Sequence, residues 1–156
     1  MVDVLEPYAK EIQAVKKDLP NILRKILIRR KDDVIRILKE DQLSKGLDSS
    51  GKVVGTYSRV TEQIALEKAL LGRSPRKPKV AGKPYNFEDT GGFFDGFSLK
   101  FEDFESFTLF SRDSKAEFLK QEYGDIDTLT KTNNERINQE ILRPEMYDEI
   151  IKRLFT

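Results

Sequence analysis

The sequence predicts an α+β fold, helices packed with a small antiparallel sheet, and three observations carry that expectation. Eight of the ten phenylalanines fall within residues 88–119, so the core must be assembled there. Inside that stretch the chain alternates, with Phe97, Leu99 and Phe101 on one face and Ser98, Lys100 and Glu102 on the other, the period of a half-buried strand. To either side apolar residues recur at i, i+3, i+4 and i+7, the period of amphipathic helices.

Taken in order, Val4, Leu5, Tyr8, Ile12 and Val15 have helical spacing in a segment that frays at the terminus. Pro20 suits the start of a helix, where its missing N–H costs nothing. Leu19, Ile22, Leu23, Ile26 and Leu27 then make one apolar stripe, expected to lie on the sheet. Val34, Ile35, Ile37 and Leu38 fit a helix or a strand ending near Leu43; helix is the expectation here. Gly46 to Lys52 has the nominal spacing of a phosphate-binding loop. Val53, however, stands where that motif needs a hydroxyl for magnesium, and no buried strand precedes it. The stretch reads instead as a turn, with Asp48 bonding its own backbone and Gly51 at positive φ.

Thr61 is the expected N-cap of the next helix, with Ile64, Leu70 and Leu71 as apolar contacts and Gly72 at its end. Residues 73–84 form a basic irregular arm, kept out of regular structure by Pro75, Pro78 and Pro84. Asp89-Thr90-Gly91-Gly92 makes a tight entry to the hairpin. Its second strand runs from Ser106 to Ser111 with Phe107 and Leu109 in phase, after the connection Asp103-Phe104-Glu105. Ser114-Lys115-Ala116-Glu117 reads as a capping box for a helix from about Lys115 to Tyr123, closed by Gly124. Thr130 or Thr132 opens another helix, carrying Ile137, Ile141 and Leu142. Pro144 interrupts it and begins the last, whose Met146, Ile150 and Leu154 stripe is expected under the hairpin. The whole reads as a single domain over residues 1–156.

Composition excludes several chemistries. There is no cysteine and no histidine among the 156 residues, so thiolate nucleophiles, disulfides, thiolate metal sites and the commonest general base are all absent. Glu88, Asp89, Asp95 and Asp113 lie around the hairpin, and acids so placed could hold a hard cation. With 27 acids in the chain such clusters arise by chance, and a carboxylate–metal hydrolase is the third-ranked reading. No enzyme activity, cofactor or metal is expected. No apolar run exceeds three residues and residues 1–9 hold no apolar block, so neither a membrane span nor a leader is expected, and the chain reads as made in the cytoplasm.

Charge is uneven although the net value is only +1. Residues 16–31 carry seven Lys or Arg against Asp18 alone, and Arg24, Lys25, Arg29, Arg30 and Lys31 are the candidates for facing nucleic acid or another polyanion. A solvated helix face is the favoured reading, because no aromatic side chain is interleaved to stack on bases. The arm holds Arg73, Arg76, Lys77, Lys79 and Lys83 and no acid. Residues 88–105 reverse the balance, six acids (Asp95, Glu102, Asp103 and Glu105 among them) against Lys100. The arm can fold back on its own chain, or dock on the hairpin of a neighbouring copy in a head-to-tail contact of the kind that closes rings.

One resemblance extends this reading. Gln42-Leu43-x-x-Gly46-x-Asp48-Ser49-x-Gly51, then Tyr57-Ser58, Asp89-Thr90-Gly91 with Phe94, Ser111-x-x-Ser114-Lys115 and Tyr123-Gly124 resemble the small head-to-tail joining (neck and tail-completion) virion proteins of tailed bacteriophages, particularly phages of Bacteroides-like hosts. The similarity spans residues 42–129 and leaves out the basic helix and the arm. It implies a virion location and a non-enzymatic structural subunit without cofactor, forming a ring with copies of itself on portal or tail-tube proteins. The alternative is a nucleic-acid-binding accessory protein using the basic helix.

Overall fold

The structure, a computed structural model, describes residues 6–103 and 106–155. Val4, Leu5, Phe104 and Glu105 lie outside the described residues. The fold is α+β: helices α1 (Glu6–Arg29), α2 (Lys31–Asp41) and α3 (Arg59–Leu70), a helical turn α4 (Gly92–Asp95), strands β1 (Phe97–Phe101) and β2 (Phe107–Ser111), then α5 (Ala116–Tyr123), α6 (Lys131–Ile137) and α7 (Arg143–Phe155). The π-helical segment Asn138–Leu142 joins α6 to α7.

The hairpin forms where the alternation places it. β1 and β2 pair antiparallel with Leu99 opposite Leu109 and Phe101 opposite Phe107, so these apolar residues share one face with Phe97, while Phe110 lies opposite Ser98 on the other. Under that face lies the larger core. Val34, Ile35, Ile37 and Leu38 of α2 meet Phe93, Phe94, Phe97 and Leu109, with Leu43, Ile126, Ile137 and Ile141 closing the cluster. Residues 31–41 are therefore helical, as expected, and their four apolar residues all face inward.

A second, smaller core forms between the two ends of the chain. Val15, Ile22 and Ile26 of α1 pack with Leu19 against Leu142, Met146, Ile150 and Leu154. The α1 stripe thus covers α7 more than the sheet, and the α7 stripe covers α1 rather than lying under the hairpin. Both expectations are corrected by this mutual pairing. Arg29 and Arg30 meet Glu145, Asp18 meets Arg153 and Tyr8 meets Phe155, a descending against an ascending order that makes the pair antiparallel. Pro20 sits inside α1 rather than at a helix start. The run is continuous because the apolar stripe on both sides of Pro20 is needed to cover α7.

Two caps also differ from expectation. Ser58, not Thr61, caps α3, its hydroxyl accepting from the Thr61 N–H at 3.1 Å. Before α5 the Asp113 carboxylate accepts from the Lys115 N–H at 2.8 Å, and Ser114 forms no capping box with Glu117. Thr130, of the two threonines, caps α6 through the Asn133 N–H. The turn after Gly46 is as read: Asp48 accepts from the N–H groups of Ser50 and Lys52, and Gly51 has φ +81°.

One buried amide ties the halves together. Gln42, fully buried at the end of α2, donates to the carbonyls of Thr128 (2.8 Å) and Ile126 (3.4 Å) and accepts from Thr130 N–H (2.9 Å) and Asn133 Nδ2 (3.4 Å). Its two donors and two acceptor positions are all used, which is what burial of an amide demands.

Candidate functional site

The arm takes the first of its two routes and folds back on its own chain. Its backbone is pinned at both ends: Arg76 N–H donates to the Asp89 carbonyl, while Tyr57 N–H donates to the Lys83 carbonyl and accepts at its own carbonyl from Gly82 N–H. Side chains reinforce this. Arg76 reaches Asp95 at 2.8 Å, Lys77 reaches the buried Glu88 at 2.7 Å, and Lys79 reaches Asp89 at 2.9 Å. Arg76 beside Asp95 holds that carboxyl below the usual range, and Lys79 does the same for Asp89. At Gly91, φ is +91°, a conformation that favours glycine, and a Cβ there would push the Arg76 guanidinium aside.

Beneath the arm lies a polar knot. The Tyr57 hydroxyl donates to the Asn86 side-chain oxygen (3.0 Å) and accepts from Asn86 N–H (3.1 Å), while Asn86 Nδ2 donates to the Pro78 carbonyl. The same Asn86 oxygen accepts from Glu88 N–H, closing a tight turn around Phe87. That closure explains why Phe87, alone of the described non-glycine residues, has a positive φ, +55°. Burial pushes the Tyr57 hydroxyl above its ordinary pKa, so it stays a protonated donor.

From this knot a row of rings crosses to the sheet. Tyr57 touches Tyr85 (4.9 Å between centroids), Tyr85 touches Tyr123 (5.3 Å), Tyr123 touches Phe87 (5.5 Å), and Phe87 leads through Phe93 to Phe97. Edge-on contacts of this kind add to the area each ring buries. Tyr57, Tyr85, Tyr123, Phe87 and Phe93 of this row line a cleft of about 300 Å³ together with Thr61, Lys79, Asp89, Lys115 and Phe118. Tyr57, Asp89, Thr90, Gly91, Lys115 and Tyr123, six of the residues that carried the resemblance, all line it. Sequence reasoning brought those residues forward, and Glu88 as one of four acids around the hairpin, but missed Tyr85 and Asn86. Their spacing gives no signal, because their roles exist only once the arm has closed.

Beside the cleft, α3 points large apolar side chains outward. Ala65 is its buried residue, whereas Val60, Ile64 and Leu66 are exposed and Leu70 and Leu71 are 89% and 76% exposed. The expectation that Ile64, Leu70 and Leu71 pack on the body is therefore overturned: the sides of α3 that carry them look away from the core. Phe118 on α5 is exposed near the cleft mouth.

The remaining predicted residues are dispersed. Arg73 and Lys83 have no ion-pair partner among the described residues. At the far end of the hairpin Glu102 sits 3.6 Å from Lys100 and accepts from the Thr108 hydroxyl, while Asp103 accepts from Ser106 N–H; Glu105 lies outside the described residues. On the basic helix Arg29 and Arg30 pair with Glu145, Arg24 lies over the Phe101 ring at 4.7 Å, and Lys25 and Lys31 remain exposed. Among the described residues no three acids converge as a metal ion requires, and Glu88, Asp89 and Asp95 each face a cation instead. No described helix is long and apolar enough to cross a membrane.

Fold and site together define a small α+β protein with a clamped arm, an aromatic cleft and an exposed apolar helix. No protein-family model, no curated protein and no solved structure matches this chain.

Proposed function

We propose that this chain is a structural subunit of a phage neck or tail, a non-enzymatic virion protein that assembles as a ring with copies of itself against portal or tail-tube proteins. The observation that carries the reading is the outward face of α3, five large apolar side chains left in water beside a cleft lined by the residues of the resemblance. Apolar surface concentrated in this way marks an interaction site. Charge assists. Arg76, Lys77 and Lys79 fix the arm's shape, leaving Arg73 and Lys83 to face the hairpin end of a neighbour, where Glu102 and Asp103 lie.

Native mass spectrometry and light scattering, on the protein alone and mixed with a portal ring at low and high salt, test this reading. The expected result is a multi-subunit assembly on the portal that salt weakens. A chain that ignores the portal yet binds duplex DNA with a steep salt dependence overturns it in favour of an accessory protein using the basic helix.

A further inference from the structure

A second unpartnered apolar surface lies between α1 and α7. Two helices alone cannot enclose an apolar seam, and one side of this pair stays open as a groove of about 490 Å³ floored by Leu23, Leu142, Met146, Tyr147 and Ile150. A third helix laid along it would complete a bundle. Arg143 lines the groove and has no acidic partner among the described residues.

α3 carries the complement. Val60, Ile64, Glu67 and Leu71 stand at i, i+4, i+7 and i+11 and so share one face, apolar but for a single acid. Glu67 accepts only a 3.3 Å hydrogen bond from Gln63 and meets no cation among the described residues. The groove, mostly apolar with Asn138 and Gln139 at its π-helical end, presents one unpaired cation; the stripe presents an apolar ridge with one unpaired anion.

We infer that α3 of one copy of this chain seats its Val60–Ile64–Leu71 ridge in the α1–α7 groove of a second copy, with Glu67 against Arg143. The inference rests on the subunit reading above and gives that reading its contact. Ridge and groove belong to different elements, so the contact is head-to-tail. Each copy that offers its ridge keeps its groove for the next, and such contacts propagate until the rotation closes a ring. The helix-in-groove mode places affinity in the apolar anchors, while the charge pair sets register and rate.

The chain has no native cysteine, which makes the test direct. Full-length chains carrying only Ile64→Cys and only Tyr147→Cys are mixed with a short bismaleimide, with Thr108→Cys on the hairpin as the control partner; wild type is followed by light scattering at the same concentrations, alone and on the portal ring. The 64–147 mixture is expected to give a covalent dimer that the 64–108 mixture does not. Adding Glu67→Arg to the first chain lowers its yield about tenfold, and adding Arg143→Glu to the second restores it. Oligomers of wild type without the 64–147 dimer overturn this contact and leave the subunit reading standing. Dimer yields that ignore the charge reversals overturn it as well. Neither oligomers nor dimer, with or without the portal ring, overturns both.

Discussion

Gln42 shows how much one residue holds when its partners are distant in sequence. The four groups it satisfies belong to Ile126, Thr128, Thr130 and Asn133, and its removal strands them in a site closed to water. Gln42→Leu keeps the approximate volume but not the bonds, so it is expected to cost about 2–4 kcal/mol, read as a lower urea midpoint at unchanged slope. The arm gives a second residue-scale expectation, with its sign fixed by the acids. Asp95 and Asp89 have folded-state pKa values below the ordinary one, through Arg76 and Lys79 respectively. What they contribute is present above the unfolded aspartate value of about 3.9 and is lost as pH falls through the folded values. Hydrogen exchange at Arg76 N–H, bonded to the Asp89 carbonyl, should accelerate below about pH 4 beyond the change seen in α2 amides. Little of this was legible beforehand. The sequence marks Gln42 as part of a pattern, but an amide's partners follow from the fold, and Glu88 becomes the arm's buried anchor only after the chain has turned back.

At the scale of elements, local period decided well and packing partners did not. Alternation located both strands and their phase, whereas period alone left Val34, Ile35, Ile37 and Leu38 open between helix and strand, and the expected helix forms with all four in one core. The α1 and α7 stripes were equally legible, yet a stripe carries no address, and each found the other rather than the sheet. α3 misled for the opposite reason, since apolar residues on a helix read as contacts even where the face that carries them is exposed. That exposure predicts an unusual mutant. Leu66→Lys with Leu70→Lys should leave the unfolding free energy within about 0.5 kcal/mol of wild type while raising solubility, as a melting curve and a precipitation series would show. Pro20 makes the converse case. Inside α1 it can donate no hydrogen bond to the preceding turn, so Pro20→Ala is expected to raise stability by about 1–3 kcal/mol in the same urea titration.

Across the whole molecule, two cores meet at Leu142, which packs against both. The π-helical segment that carries Leu142 follows α6 and leads directly into α7, so the seam between α1 and α7 is anchored to the main core at one end. Distance from that anchor should order the local stabilities. Amides near Ile22 and Ile26 should exchange more slowly than those near Tyr8 and Ile12, whose side chains are exposed, a gradient that native-state exchange can measure.

The pairing of α1 with α7 also sets a timetable for the chain's synthesis. α1 leaves the ribosome well before α7, the helix that covers its stripe, has been translated. At ordinary elongation rates the stripe waits on the order of ten seconds before its cover exists. Through that interval Ile22 and Ile26, almost completely buried in the finished protein, stand open to any apolar surface nearby. A nascent chain stopped after Leu142 should therefore recruit chaperones or aggregate, whereas one extended through Phe155 should release them.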